Sequence, residues 1–420
     1  MLQINAQRFL QDLYDLAQIG AVPEDEGGGL DRRAFSPAER AARAFFTERA
    51  EAAGLIVTTD AAANLSARLS CGQAGAKTIL SGSHLDTVPH GGRYDGALGV
   101  MAALEALRTL REANAPLAFD LEAIAFTDEE GRLDGLTGSR LMAGALSRAG
   151  VMRFLEAAAA YPADLEAMRQ MTPGGLAVDS LLAAKRDRRQ VAAFVELHIE
   201  QGPRLEQAGA TIGVVEAIFG RRACQVIFYG RSDHAGTTPL PLRADALAAA
   251  ARFITALYDS VLRDFPGAVA TCGNLTVQPG AANVVPRRAA VTVEFRAAQE
   301  ATLETLDRQV RALAAEAARA GRVTHEFIAG SRLAPQPLDQ GIQAAIQAAC
   351  ADLGLRSMAL ASGALHDAHS LAPFVPSGMI FVPSKGGRSH TPDEETDADD
   401  LVAGANVLLQ TLLRLARVVP

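Results

Sequence analysis

Apolar positions along this chain recur with two different periods, and the switches between them mark its elements. Residues 36–54, SPAERAARAFFTERAEAAG, carry a helical pattern. Ser36 is placed to cap it, Pro37 suits its first turn, Glu39 completes a capping box and Gly54 stops it. LIVTTD and NLSARLS then alternate as short strands, and TILSGS at 78–83 is a further strand that runs into the Gly- and Pro-rich loop HLDTVPHGGRYDG. An Ala/Leu-rich helix over 97–112 follows. FDLEAIAF is a strand ending in TDEEG, 140–190 reads mainly as helix, and VAAFVELHI is a strand ending in EQGP. Strand and helix in alternation predict an α/β sheet flanked by helices, in which function gathers beyond the carboxyl ends of strands. His84, Glu129, Glu130 and His198 all fall at such ends.

From residue 212 the pattern changes. IGVVEAIF and ACQVIFYG are strands, PLRADALAAAARFITALYD a helix, AVATCGNLTV and AAVTVEFRA strands, LETLDRQVRALAAEAARAG a helix and VTHEFIA a strand. A strand-rich run with two helices predicts a small ferredoxin-like α+β domain. Helix and strand then return, with GMIFVPS as a core strand. The economical organisation is a larger domain formed by 1–211 and 331–420, with 212–330 inserted into it.

Composition narrows the function classes. The chain has 420 residues, of which 49% are hydrophobic, enough to bury sizeable cores. Its net charge of -8 argues against a general nucleic-acid binder. No long uncharged apolar run predicts a membrane span, and the polar start MLQINAQRFLQDLYDL is no signal peptide, so a cytoplasmic enzyme is expected. Cys71, Cys224, Cys272 and Cys350 follow no paired spacing and read as reduced thiols.

Four of the eight histidines, His84, His198, His234 and His390, sit in glycine-rich or acidic surroundings. Imidazole with carboxylate suits zinc, manganese, cobalt or nickel, and the absence of cysteine argues against a structural zinc site. His84-Leu85-Asp86 reads by itself as a polar turn or as a ligand with its support, since residues two apart in an extended segment point the same way and Asp86 is then placed to orient the His84 ring. Asp95, between glycines, reads either as a carboxylate shared by two metals or as the cap of the next helix. Asp128-Glu129-Glu130 needs a counter-charge or solvent. A metal supplies that charge, and neighbouring carboxylates facing different ways allow one to bind it while the next handles protons. His198 reads as a ligand or as a satisfied core histidine, and His390 as a ligand or a surface residue. His366 and His369 in SGALHDAHS are spare candidates, favoured as packing or supporting groups.

The motifs SGSHLDTVPHGGRYDG, FTDEEG, ELHIEQGP, SDHAGTTP, NVVP, EFR, SGALHDA and GGRSHTPDE, in this order, resemble the hydantoinase/carbamoylase amidohydrolases, relatives of the di-metal aminopeptidase-like hydrolases. The resemblance covers nearly the whole chain. It implies an aminopeptidase-like three-layer α/β catalytic domain with an inserted lid that dimerises, and two divalent metal ions per subunit. By that resemblance Asp95 bridges the metals, His84 and His198 complete one, and Glu130 and His390 the other. Glu129 is the general base and Asp86 steadies His84. His234 of the lid stabilises the oxyanion, commonly across a homodimer. Asn283 and Arg296 hold the substrate, Arg296 as a fork on its carboxylate, with Gln201 and Arg222 as further contacts. The implied substrate is a small ureido acid: an N-carbamoyl-L-amino acid, or alternatively allantoate. A dipeptidase or N-acyl amino acid deacylase is the competing enzyme class, and a non-catalytic metal binder the competing non-enzyme. The chain departs from the family pattern at Gly131-Arg132-Leu133-Asp134, at Ala223 and at Leu365, and each departure bears on the pocket rather than on a ligand.

Overall fold

The computed structural model describes residues 1–417. The chain packs into two compact units. One is formed by Met1–Glu216, Leu338–Leu360 and the stretch from Ala364 onward, the other by Ala217–Pro337 with Ala361–Gly363.

The strands of the first unit are β1 (Ile56–Thr59), β2 (Leu65–Leu69), β3 (Thr78–His84), β4 (Asp120–Phe126), β5 (Val191–Ile199) and β6 (Ile212–Ile218). Their sheet takes the order β1-β2-β4-β3-β5, then the late strand Ser377–Val382, then β6. Its centre is parallel. Leu80 pairs with Glu122 of β4 and Phe194 of β5, and His198 of β5 stands opposite Phe381 of the late strand. Such strands are covered on both faces and therefore read as near-continuous apolar runs. In β5, Ala193, Val195, Leu197 and Ile199 point into the main core. Phe194, Glu196 and His198 point the other way by the period of two, where Phe194 meets Phe126 edge-on at 5.8 Å. The main core is closed by helices Ala6–Ala17, Pro37–Ala52, Ala97–Glu112, Gln340–Leu353 and Ala398–Ala416. The opposite layer holds the short helix Asp367–Leu371 and helices between 137 and 182, which share a smaller core around Leu141, Phe154 and Met168.

The Ser36 hydroxyl accepts from the Glu39 amide, as the helix pattern predicts. Glu39, however, reaches back to the Phe35 amide and across to Arg43 instead of to Ser36. The strand IGVVEAIF, read above as the first of the small domain, lies in the large sheet instead. Val215 of β6 pairs with Met379, and the buried apolar face of β6 is satisfied there. The second unit follows with β7 (Gly220–Tyr229), β8 (Val269–Gln278), β9 (Arg288–Ala297) and β10 (Thr324–Leu333), antiparallel in the order β10-β7-β9-β8. With helices Ala246–Asp264 and Glu300–Gly321 the element order is βαββαβ, the ferredoxin-like arrangement. Its core centres on Phe228, Phe253, Val291, Phe295 and Leu306. Two short strands, β11 (Gln336–Pro337) and β12 (Ser357–Ser362), pair with β6, and β13 is the late strand Ser377–Val382.

All four cysteines are free thiols. Among the described residues no helix is long and apolar enough to cross a membrane.

Candidate metal centre

The parallel strands deliver their carboxyl ends to one place. His84 is the last residue of β3, His198 the penultimate residue of β5, the acidic run follows β4, and His390 lies in the loop after β13. Asp95 sits at the foot of helix Ala97–Glu112. That helix takes Gly96 as its N-cap with no side-chain cap, so the Asp95 carboxylate is not consumed as a helix cap. Gly96 itself is required. Its φ is 65°, and a Cβ there would lie 2.4 Å from the His84 ring.

Asp95 is the hub. Its Oδ1 lies 3.4 Å from His84 Nε2 and 3.1 Å from His198 Nε2. Its Oδ2 lies 3.2 Å from His390 Nε2, which stands 3.5 Å from Glu130 Oε1. On the far side of each buried ring, His84 Nδ1 donates to Asp86 O at 2.9 Å and His198 Nδ1 to Ile199 O at 2.9 Å. A carbonyl oxygen only accepts, so these contacts fix the hydrogen on Nδ1 and turn Nε2 inward. The acidic run divides. Asp128 turns away and accepts from Thr137 Oγ1 at 2.7 Å and from the Leu133 and Asp134 amides. Glu129 Oε2 faces His84 Nε2 at 3.6 Å, and Glu130 faces His390. Asp86 accepts from the Glu129 and Glu130 amides through its carboxylate, at 3.4 and 3.1 Å. One aspartate thus holds the His84 ring and both glutamates in register.

The electrostatics are those of a cation site. Burial pushes the Glu129 carboxyl well above its usual range and Glu130 up to about 7. Asp95 is also driven up by burial, but hydrogen bonds from His198, His390 and His84 outweigh that and hold it well below the carboxylate range. The hydrogen bond to Asp95 lifts His390 to about 9. Burial opposes charge on His84 and His198, yet the surrounding carboxylates raise both. The protein alone balances these acids with protons on inward-facing nitrogens, the same atoms that divalent ions take as ligands. Glu130 Oε1 is buried without a hydrogen-bond partner, as a carboxylate oxygen reserved for a cation would be. His84, Asp95 and His198 form one group whose ligand atoms lie within 4.8 Å of one another, and Asp95, Glu130 and His390 form a second. Imidazole and carboxylate without thiol suit borderline divalent metals. The residues fit a two-metal centre sharing Asp95.

Supporting residues complete the site, among them Glu394, Ser389 and Glu196, which the sequence pattern did not reveal, and His366 and His369, which it offered as packing or supporting groups. Glu394 is buried and accepts from the Tyr94 and Asp95 amides at 2.9 and 3.1 Å. Ser389 Oγ donates to Glu394 at 2.8 Å and also lies 3.1 Å from Asp95 Oδ2. Glu394 follows His390 closely in an acidic run that reads as solvated surface, and only the tertiary fold shows it buried. Glu196 binds Ser83 Oγ at 2.7 Å and the Ala368 amide at 2.9 Å. His366 packs edge-on against His198 at 4.5 Å, and His369 is also buried. Glu196, His198 and His366 form a further cluster of metal-ligating types, but the Glu196 oxygens already accept from Ser83 and Ala368.

Gln201 Nε2 donates to Asp95 Oδ2 at 2.8 Å, while its Oε1 is buried without a partner. Arg222, His234, Asn283 and Arg296 belong to the second unit. There the Ala235 amide donates to Asn283 O at 3.0 Å, which puts His234 and Asn283 on adjacent segments. Arg296 pairs with Glu294 at 2.7 Å and donates to Gly363 O at 2.9 Å. Arg222 is buried and paired with Glu300. At the departures from the family pattern, Arg132 pairs with Asp164 at 2.6 Å beneath the Tyr161 ring, Ala223 stands opposite Glu294 on β9, and Leu365 is half-buried.

Comparison with known proteins agrees with the resemblance read from the motifs. The model of peptidase family M20/M25/M40 matches residues 80–414. An N-carbamoyl-L-amino acid amidohydrolase of Geobacillus stearothermophilus is 38% identical over 420 residues, covering 99% of each chain. An allantoate amidohydrolase of Bacillus subtilis is 34% identical over 409 residues, covering 96% of this chain and 95% of that one. The crystal structure of a hydantoinase/carbamoylase family amidase from Burkholderia ambifaria superposes with a TM-score of 0.88 at 33% identity, covering 100% of both chains.

Proposed function

Since this chain belongs to peptidase family M20/M25/M40, a family of metal-dependent hydrolases with the aminopeptidase-like fold, we propose that it hydrolyses the ureido C–N bond of an N-carbamoyl-L-amino acid. The products are the amino acid, ammonia and carbon dioxide. The observation that carries this reading is that two histidine–carboxylate groups share Asp95; Glu129 belongs to neither, although it forms a further ligating group with His84 and Glu130, and its assignment to the proton rather than to a metal is part of the proposal. The end-to-end similarity to a carbamoylase supports the ureido branch over a dipeptidase.

His84, Asp95 and His198, and Asp95, Glu130 and His390, would hold two divalent ions, zinc or manganese with cobalt or nickel as alternatives, which would supply Lewis-acid polarisation of the carbonyl and acidify an attacking water. Glu129 Oε2 takes the proton from that water and returns it to the leaving nitrogen. Asp86 holds the geometry by fixing the His84 ring and the two glutamate amides. In the lid, His234 stabilises the negative charge growing on the carbonyl oxygen. Arg296 forks onto the substrate carboxylate. Asn283, Gln201 and Arg222 are its further contacts, and the working unit is a homodimer joined through the lid. For Arg222 this role requires exchange of its Glu300 partner for substrate.

The test is ammonia release from a panel of N-carbamoyl-L-amino acids, allantoate, ureidoglycolate and dipeptides, with each metal added in turn. Ammonia from carbamoyl amino acids is the expected result. Turnover of allantoate alone would move the substrate within the ureido acids, and dipeptide cleavage with no ammonia from any ureido acid would overturn the reading.

A further inference from the structure

Arg32 lies outside the family match and outside every motif that points to the reaction, yet its side chain is wholly buried. A buried guanidinium needs acceptors on several of its five donors. Arg32 Nε donates to Leu85 O at 2.7 Å, and Nη1 donates to Leu16 O at 3.0 Å and Ile19 O at 3.1 Å. The last two carbonyls lie at and just beyond the end of helix Ala6–Ala17; Leu16 O also accepts from the Ile19 amide at 3.1 Å. The Arg32 backbone grips the same loop a second time. Its amide donates to Thr87 Oγ1 at 3.0 Å, and its carbonyl accepts from the Thr87 amide at 3.1 Å. A third tie follows at Leu30, whose amide and carbonyl exchange hydrogen bonds of 2.9 Å with Gly91.

These contacts bracket Asp86. Arg32 fixes the residue before it and the residue after it, and Asp86 in turn orients His84 and accepts from the Glu129 and Glu130 amides. Burial lowers the guanidinium to about 10, so it stays protonated at neutral pH beside the acidic centre. We infer that Arg32 is a positioning residue for the metal centre, through which the N-terminal arm holds loop 84–91 and so sets the ligand His84 and the base Glu129. This inference rests on the two-metal reading given above.

Arg32→Lys keeps the charge but offers a compact ammonium in place of the fork, and cannot span Leu85, Leu16 and Ile19 together. Thr87→Val removes only the hydroxyl acceptor and preserves the shape of the site. The measurements are divalent-metal affinity by calorimetry with zinc or manganese, kcat and KM at saturating metal, and amide hydrogen exchange of residues 84–91 in the metal-free protein. The expected result for Arg32→Lys is metal affinity weakened roughly 10- to 100-fold, kcat lowered with KM little changed, and faster exchange in the loop. Thr87→Val should move the same readouts in the same direction by a smaller factor. A purely structural plug would lower the melting temperature and leave affinity, kcat and loop exchange at their wild-type values, and that outcome overturns the inference. If Arg32→Lys does not fold, Thr87→Val tests the backbone tie between the arm and the loop, and wild-type affinity, kcat and loop exchange in it count against the arm as the holder of loop 84–91. A wild-type chain that binds no divalent metal would instead overturn the centre itself.

Discussion

At the scale of single residues, the roles of neighbouring carboxylates are set by what each faces. Glu129 and Glu130 adjoin in sequence, but one looks at His84 and the other at His390. Glu129→Gln removes the proton acceptor and keeps the shape. It is expected to lower kcat by about 10² to 10⁴ while both metals remain bound, as checked by metal analysis beside steady-state kinetics. Loss of metal together with rate would make Glu129 a ligand instead. Metal affinity should also depend on pH in a set direction. Glu130 and His390 hold protons below about 7 and about 9. Between those values a cation entering their group displaces one proton, and below about 7 it displaces two. Apparent affinity therefore falls as pH falls, by about tenfold per unit above 7 and more steeply beneath it. Competition with a chelator at pH 6, 7 and 8 measures the slope, and a flat profile would contradict the assigned ligands. His84 and His198 were singled out in the sequence by their strand-end positions, and Asp95, Glu130 and His390 by the Gly-rich or acidic stretches that hold them. Glu394 and Ser389 were not, since nothing in an acidic surface-like run announces that one member will be buried against the Tyr94 and Asp95 amides.

At the scale of elements, the site is a product of strand ends. The apolar run of β5 reads as a strand, but its two buried faces hide the alternation that would single out His198. The same double burial explains why β6 was assigned to the small domain. An apolar strand carries no mark of which sheet will accept it, and pairing with Met379–Phe381 decides the matter. Strand-to-helix junctions are less ambiguous, because their geometry is tight. Gly96→Ala adds a methyl 2.4 Å from the His84 ring at a φ of 65°, so the ring or the helix start must shift. The positive-φ backbone alone costs an alanine about 1–3 kcal/mol. The variant should melt lower and bind metal at least about tenfold more weakly, measured by calorimetry. Unchanged metal affinity would show that the ring tolerates displacement.

At the scale of the whole molecule, the proposed ligands come from segments that are remote in sequence, from His84 in β3 to His390 beyond β13. A cation that binds only the folded arrangement stabilises it by mass action, by about 2.7 kcal/mol at a free concentration a hundred times Kd. Chelation should therefore abolish activity and lower the melting temperature by several degrees, and added zinc or manganese should restore both. A melting temperature indifferent to chelation would mean that the centre is rigid without its ions. The hydrophobic pattern changes character near the start of the βαββαβ run, and the chain divides into its two units close to that point.

That insertion carries one more consequence. The second unit stands in the chain between His198 and His390. A ribosome working from the amino end releases His84, Asp95, Glu130 and His198 first, and must then complete the whole inserted unit before His390 emerges. A nascent or prematurely terminated chain ending anywhere in between carries the group His84, Asp95 and His198 but lacks His390 of the group Asp95, Glu130 and His390. On the proposed ligand assignment, completion of the centre is thus a late event in biosynthesis, because His390 follows the insertion in the chain.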